Sequence, residues 1–365
     1  MRSIRYTTIT LALVGGLVLA ACGGGGDSAD TTVATVPDTT VAASTTTVPP
    51  TTVPAAADTT IADATTTTVA AAPVMPLTGL PIEDQAKANR PALVVKIDNH
   101  PDAVPQSGLN ETDIVYEENV ESWTRFAAVF QSQDADPVGP IRSGRTQDID
   151  LLGSLNKPLF GWSGGNGNVT AAIRASDLVE LSPTSTGNHG FYRSTDRKAP
   201  HNLYNDTASF YEFTPVYAGP PPQQFTYRAE GEAFNGEPAS GVDLAMDGGL
   251  KVNWTWDAAT SSYLRSQRGK PHNDAELGQL NSKNVVVLEV EYQPSPADAR
   301  SPEAQTIGTG TAYVFTGGVL VRGTWTRGDR LASFQLADEN GTVIALTPGR
   351  TWIELARVGK TTPLP

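Results

Sequence analysis

A mixed α/β region followed by a β-rich region, both carried behind a disordered amino-terminal stalk, is the architecture this sequence predicts. Three observations predict it. Residues 23–74 contain no aromatic residue, Lys or Arg. Between Ala92 and Tyr211, short apolar runs alternate with helix-start signals. Beyond about Glu230 the apolar runs are β-branched and aromatic and are punctuated by hairpin turns.

The amino terminus reads as an export signal. Arg2 and Arg5 precede an apolar run from Ile9 to Ala21 that is short for a membrane span and ends in small residues. The run closes on LAAC, Leu19 to Cys22, which resembles a lipobox. Residues 1–21 are therefore expected to be removed and Cys22 to be lipidated; the alternative is a plain signal with an incidental Cys. Cys22 is the only cysteine in the sequence, so its acylation leaves no thiol for disulfide, nucleophilic or metal chemistry. Residues 22–75 read as a tether rich in Thr, Pro and Ala, with Thr-Thr-Val recurring at Thr31, Thr39, Thr46, Thr51 and Thr67. Such a segment buries too little apolar surface to offset its ordering entropy. A coil of about 50 residues spans roughly 40 Å.

The first region is placed at residues 76–220. Ala92–Asp98 is a buried strand by its apolar run, and Asp113–Glu118 and Thr124–Gln131 are two more. Thr146 is placed as the N-cap of a helix through Leu155, on the spacing of Ile149, Leu152 and Leu155. Pro158–Trp162 is a short strand leading into a Gly-rich turn, with Asn168 as the cap of the next helix. A further helix begins near Asp206, and Pro220–Pro222 marks the expected inter-domain link. The second region, residues 230–365, contains strand-forming runs at Asn284–Tyr292, Thr311–Phe315 and Val319–Trp325. Gly317-Gly318 and Asn340-Gly341 supply hairpin turns.

The chain carries 26 Lys and Arg against 39 Asp and Glu. Setting aside Arg2, Arg5 and five aspartates before Met75 leaves the body with a net charge of −10. That balance argues against nucleic acid as a partner and against broad adhesion to anionic membranes. The membrane is expected as a partner only through the lipid anchor, at the extracytoplasmic face.

Within this acidic body, three loops concentrate polar chemistry. The first is Gly139–Arg145 (GPIRSGR), where Arg142 and Arg145 precede a helix start and would form a compact anion site. The bland alternative is that both arginines pair with structural carboxylates. The second is Ser163–Gly167 (SGGNG), in which Gly164 and Gly165 allow close backbone approach to an anion. It matches neither a nucleotide-binding P-loop nor a dinucleotide fingerprint, and such a segment is more often a tight turn. The third is Tyr192–Tyr204, which holds Arg193, Arg197, Lys198, His201, Asn202 and Tyr204 together. Basic clusters are usually solvated surface; the mixture with His, Asn and Tyr favours recognition.

Asp98, Glu117 and His201 are the candidate acid–base groups, with Glu118 and Glu121 nearby in sequence. Asp98, His100 and Asp102 lack stringent metal-ligand spacing, so a hydrogen-bonded loop histidine is the preferred reading and no metal or other cofactor is expected. Ser143 and Ser163 lack a nucleophile-elbow setting. His272, in the polar segment PHND, is placed facing a cleft between domains.

Several segments carry a family resemblance: PLTGLP at Pro76, IDNHP at Ile97, PQSGL at Pro105, DIVYE at Asp113, TRF at Thr124, GPIRS at Gly139 and DRKAPHNLY at Asp196. YLR at Tyr263, PHND at Pro271, NVV at Asn284 and GTW at Gly323 continue it. The sequence resembles the YerB-type lipoproteins defined by the DUF3048 domain of unknown function, over nearly the whole body. Gly144 departs from the Ala more usual in that family and leaves the Arg pair intact. The resemblance implies a lipid-anchored, two-part envelope protein and no established activity.

Two functional classes follow. The first is a binding protein for an anionic cell-wall or glycan ligand, with the three loops converging at strand ends. The second is an envelope hydrolase or transferase acting on a phosphorylated or glycosidic substrate, which requires a carboxylate and His201 beside the arginines. A scaffold for protein partners is the bland third possibility.

Overall fold

A computed structural model describes residues 73–365 apart from Glu230 and Phe234. The expected signal peptide, Cys22 and nearly all of the tether lie outside them. The described residues all fall within one compact unit, and Met75, expected to end the tether, is already buried in it. None of the described helices is long and apolar enough to cross a membrane.

The first helix, α1, is one short turn, Gln85–Asn89, capped by the Asp84 carboxylate. Strand β1, Leu93–Asp98, is followed by the hairpin of β2, Ile114–Val120, and β3, Trp123–Phe130. These three strands are almost entirely buried, which explains why their sequences run apolar rather than alternating. Helix α2, Gln147–Leu151, then leads through a 3-10 turn to β4, Leu159–Gly161. Helix α3, Gly167–Ala175, precedes β5, Val179–Leu181, and α4, Thr207–Tyr211, closes the region. Two expected caps are corrected. The Thr146 side chain makes no cap and instead bonds Ser295 and Glu303. Asn166, not Asn168, caps α3, accepting from the Val169 amide at 3.0 Å.

Mixed α/β first region and β-rich second region are both present, and they share one eleven-stranded sheet. Its order runs from Gln335–Asp338 through Val319–Arg327, Gly308–Thr316, Asn284–Val290 and Thr351–Arg357 to β2, β3, β1, β4 and β5, and the eleventh strand, Glu237–Pro238, also pairs with Val319–Arg327. Strand Thr351–Arg357 is the join, parallel to β2 on one side and to Asn284–Val290 on the other. The change of texture near Pro220 therefore falls inside one compact unit. Pairings between residues more than 230 positions apart leave no local mark in a sequence.

Both faces of the sheet are covered. Val95, Phe126 and Trp352 meet Val242, Trp254 and Tyr263 of a second, six-stranded sheet. Val94, Ile114 and Ile353 meet Leu151 and Ile173 of the helices, with Trp162 from the segment after β4. Strands β1 and β4 run parallel, so the loops after them lie at the same end of the sheet.

Candidate functional site

At that end, the Gly139–Arg145 segment, the Gly164 turn and His201 line two adjoining depressions of about 710 and 420 Å³, which share Glu121 and Arg145. Arg125, Trp123 and His100 line the smaller one, and Asp298 and Arg300 the larger. A groove of about 520 Å³ on the small sheet, lined by Lys251, Lys270 and Lys360, is separate from these side chains.

Asp98, at the end of β1, organises the smaller depression. Its Oδ2 lies 2.7 Å from His201 Nδ1 and 3.2 Å from Arg142 Nε. With Nδ1 donating to this carboxylate, the remaining polar atom of the His201 ring is Nε2. His100 stacks on His201 with centroids 4.2 Å apart, and meets Trp123 edge-on at 4.7 Å. Burial and the neighbouring His201 hold His100 below its ordinary value, which favours an uncharged ring stack.

The two arginines of the first loop differ. Arg145 is committed, donating from Nε and Nη2 to Glu121 at 2.8–2.9 Å and from Nε to Ser301. The Arg142 guanidinium has Asp98 as its one ion-pair partner among the described residues, and its Nε is buried without a hydrogen bond. Arg142 is thus the cation with donors to spare. Arg125 lies beneath them, donating from Nη1 to the Ser143 carbonyl at 2.7 Å. Burial and the repulsion of Arg145 lower it to about 10, so it stays charged at neutral pH. At the other wall, Gly164 adopts φ +98°, a conformation that disfavours any side chain, and nothing lies within 4 Å of where a Cβ would project. The backbone there is open to a ligand.

The third loop divides. His201 reaches the cleft, whereas Arg197 donates to the carbonyls of Ala103 and Pro105. Arg193 donates to Asn202 Oδ1 at 2.8 Å, and Asn202 donates to the carbonyls of Ser194 and Arg197. Tyr204 is buried and stacks on Tyr192, and Lys198 is exposed and does not line the cleft. These side chains build the loop that presents His201.

Glu117 is fully buried on the opposite face of the sheet, bound to Arg265, Thr124 and Asn99. It is corrected from a candidate base to a structural anion. His272, expected at a cleft, is likewise buried, between Gln106 at 2.7 Å and Arg265. Burial and the Arg265 charge hold it well below its ordinary value. It is neutral, Nε2 donating to Gln106 and Nδ1 accepting from Arg265.

Sequence reasoning missed the ions under the cleft. Lys96, fully buried in β1, donates to Glu118 and, at 2.9 Å, to Asp148. Asp148 Oδ2 also accepts from the Arg145 amide at 2.7 Å, and the Lys96 carbonyl accepts from the Arg142 amide. The triad therefore fixes the backbone that carries both arginines. A lysine inside the run LVVKID was the available signal, since a buried lysine requires a partner. Burial and Asp148 raise Glu118 to about 7. A raised carboxylate favours the folded state most below its unfolded value of 4.5, and the benefit is lost as pH rises through about 7. Wild type is therefore expected to lose roughly 3 kcal/mol relative to Glu118→Gln between pH 4.5 and 8. Denaturant unfolding of both at several pH values checks this; parallel curves count against it.

The segments of sequence resemblance run through these features, and comparison with known proteins gives the same family. Residues 77–217 match the family described as "Protein of unknown function (DUF3048) N-terminal domain", and residues 242–353 match the corresponding C-terminal domain. The Bacillus subtilis (strain 168) protein described as "Putative lipoprotein YerB" is 28% identical over 291 residues, covering 77% of this chain and 85% of that one. The crystal structure of YerB protein from Bacillus subtilis superposes with a TM-score of 0.68 at 24% identity, covering 80% of this chain and 99% of that one. With its two matched regions spanning most of the body, the chain belongs to the DUF3048 family.

Proposed function

We propose that this protein is a lipid-anchored envelope lipoprotein whose cleft binds an anionic cell-wall or glycan ligand. The anchor reading rests on the LAAC segment ending at Cys22 and on the lipoprotein description of the B. subtilis relative. The observation that carries the ligand reading is Arg142, partly exposed, with donor capacity beyond its one carboxylate, lining the same depression as His201 beside the one that the Gly164 turn lines, in a body of net charge −10. Trp123 adds an aromatic surface suited to a sugar ring. Calorimetric titration with soluble phosphate-bearing wall fragments tests it. Arg142→Ala is expected to weaken binding about tenfold or more, the loss of one charge-assisted hydrogen bond. Equal affinity in variant and wild type counts against the reading. Cys22→Ala is expected to move the protein from the membrane fraction to the soluble fraction; continued membrane retention counts against the anchor.

A second reading is favoured by one contact. Asp98 holds His201 by Nδ1, the arrangement that presents Nε2 as a general base beside arginines able to stabilise developing negative charge. Asp98, rather than Glu117, supplies the carboxylate this reading requires. Turnover of a phosphorylated or glycosidic wall fragment that is lost in His201→Ala supports an enzyme; binding without turnover supports the binding protein.

A further inference from the structure

The geometry points to a divalent transition-metal site formed by His100, Asp102 and His201, of the two-histidine, one-carboxylate class that suits zinc. This goes beyond the anion-binding reading and does not rest on it. One ligand atom from each of the three residues lies within 4.8 Å of the others. His100 Nδ1 and Asp102 Oδ2 are 3.7 Å apart, close to the separation of about 3.3 Å that two bonds of about 2.0–2.1 Å make at tetrahedral zinc. His201 offers Nε2, because its Nδ1 is held by Asp98 at 2.7 Å. A carboxylate on the far nitrogen is the outer-shell contact that orients a metal-binding histidine and raises its basicity.

Electrostatics permit a cation here. The Arg142 guanidinium, which lines the same depression, is already paired with Asp98 at 3.2 Å. Asp102 is three-quarters exposed and brings a carboxylate whose one ion-pair contact among the described residues is His100. The cost is local: the parallel imidazoles, 4.2 Å apart, must splay to admit an ion, and Asp102 must release its amide bond to His100 Nδ1. His100 stands on the loop side and can turn, whereas Asp98 fixes His201. Three protein ligands leave a fourth position for water or an added ligand, and the mixed nitrogen and oxygen donors select zinc over magnesium or calcium.

The test is titration of the full chain with Zn2+ alone, followed by Co2+ substitution and visible spectroscopy. One ion per chain is expected, with ligand-field bands of a nitrogen–oxygen site. His100→Ala and Asp102→Asn are each expected to weaken binding at least tenfold, and Asp98→Asn by a factor of ten to a hundred, as for other outer-shell carboxylates. Asp102→Asn alters an exposed side chain, so an unchanged melting temperature separates lost ligation from lost folding. His189→Ala, at an exposed histidine that pairs with Glu212, is expected to change nothing. Absence of stoichiometric binding overturns the proposal. So does binding that survives Asp102→Asn and His100→Ala, or that disappears in His189→Ala or Cys22→Ala. Phosphate titration in the presence of a chelator reads the anion site separately, so failure of one does not count as failure of the other.

Discussion

Arg265→Met is expected to lower the melting temperature by roughly 6–20 °C. Arg265 is fully buried, bound to Glu117, 3.9 Å from Glu354 and within 5.2–5.9 Å of the ring centroids of Phe126, Trp254 and Trp352. Methionine fills much of the volume and removes the charge, which strands Glu117 and leaves His272 Nδ1 without a donor. Breaking one side of a buried ion pair costs about 3–5 kcal/mol, and each kcal/mol shifts the midpoint of a body this size by about 2–4 °C. Glu354→Gln is the informative companion. Burial and the adjacent Glu117 raise Glu354 well above its ordinary value, which favours its protonated form. An amide that keeps the acceptor for Trp254 Nε1 at 2.8 Å is expected to cost no more than about 1 kcal/mol. Thermal unfolding of both variants decides the point. An unshifted Arg265→Met, or a Glu354→Gln as damaging as Arg265→Met, contradicts this account of the network.

Lys96→Met is expected to have an effect of similar size with an added functional signature. It leaves Glu118 and Asp148 buried together without their cation, a loss of about 3–5 kcal/mol. The cost is smaller at pH 5, where Glu118 is neutral, than at pH 8, where it is ionised. Because Asp148 also holds the Arg145 amide, the variant loosens the segment that presents Arg142 and Arg145. Anion affinity is therefore expected to fall even under conditions where the variant remains folded. Denaturant melts at both pH values, with titration of the folded protein, check the two parts. A pH-independent loss with unchanged affinity would show that the triad does not support the cleft.

Much of the first region was legible because its elements announce themselves locally. The run around Val94 could only be a buried strand, and Asp206 does cap a helix, accepting from the Ser209 amide at 2.8 Å. Short motifs also placed Arg142, Arg145, Gly164 and His201 in polar loops, and all four line the cleft. What could not be read was which partner each polar group would take. Arg197 looks like a ligand-binding cation until its two carbonyl partners, more than 90 residues away, are known. Glu117 and Glu118 are neighbours in sequence, yet the strand pleat sends one to Arg265 and the other to Lys96. Glu121, Trp123 and Arg300 joined the site only because the β2–β3 hairpin and a segment of the second region meet there. Long-range pairing, not local propensity, decided those roles.

In the proposed function, Arg142, His201 and the Gly164 turn serve one ligand. A crystal structure of the protein soaked with inorganic phosphate, and separately with a phosphate-bearing wall fragment, tests it most directly. An anion is expected within hydrogen-bond distance of the Arg142 guanidinium in both soaks. The wall fragment is predicted to lie between His201 and Gly164 and to be absent from crystals of Arg142→Ala. Wall fragment bound only elsewhere, or in the same place in Arg142→Ala, would contradict the account.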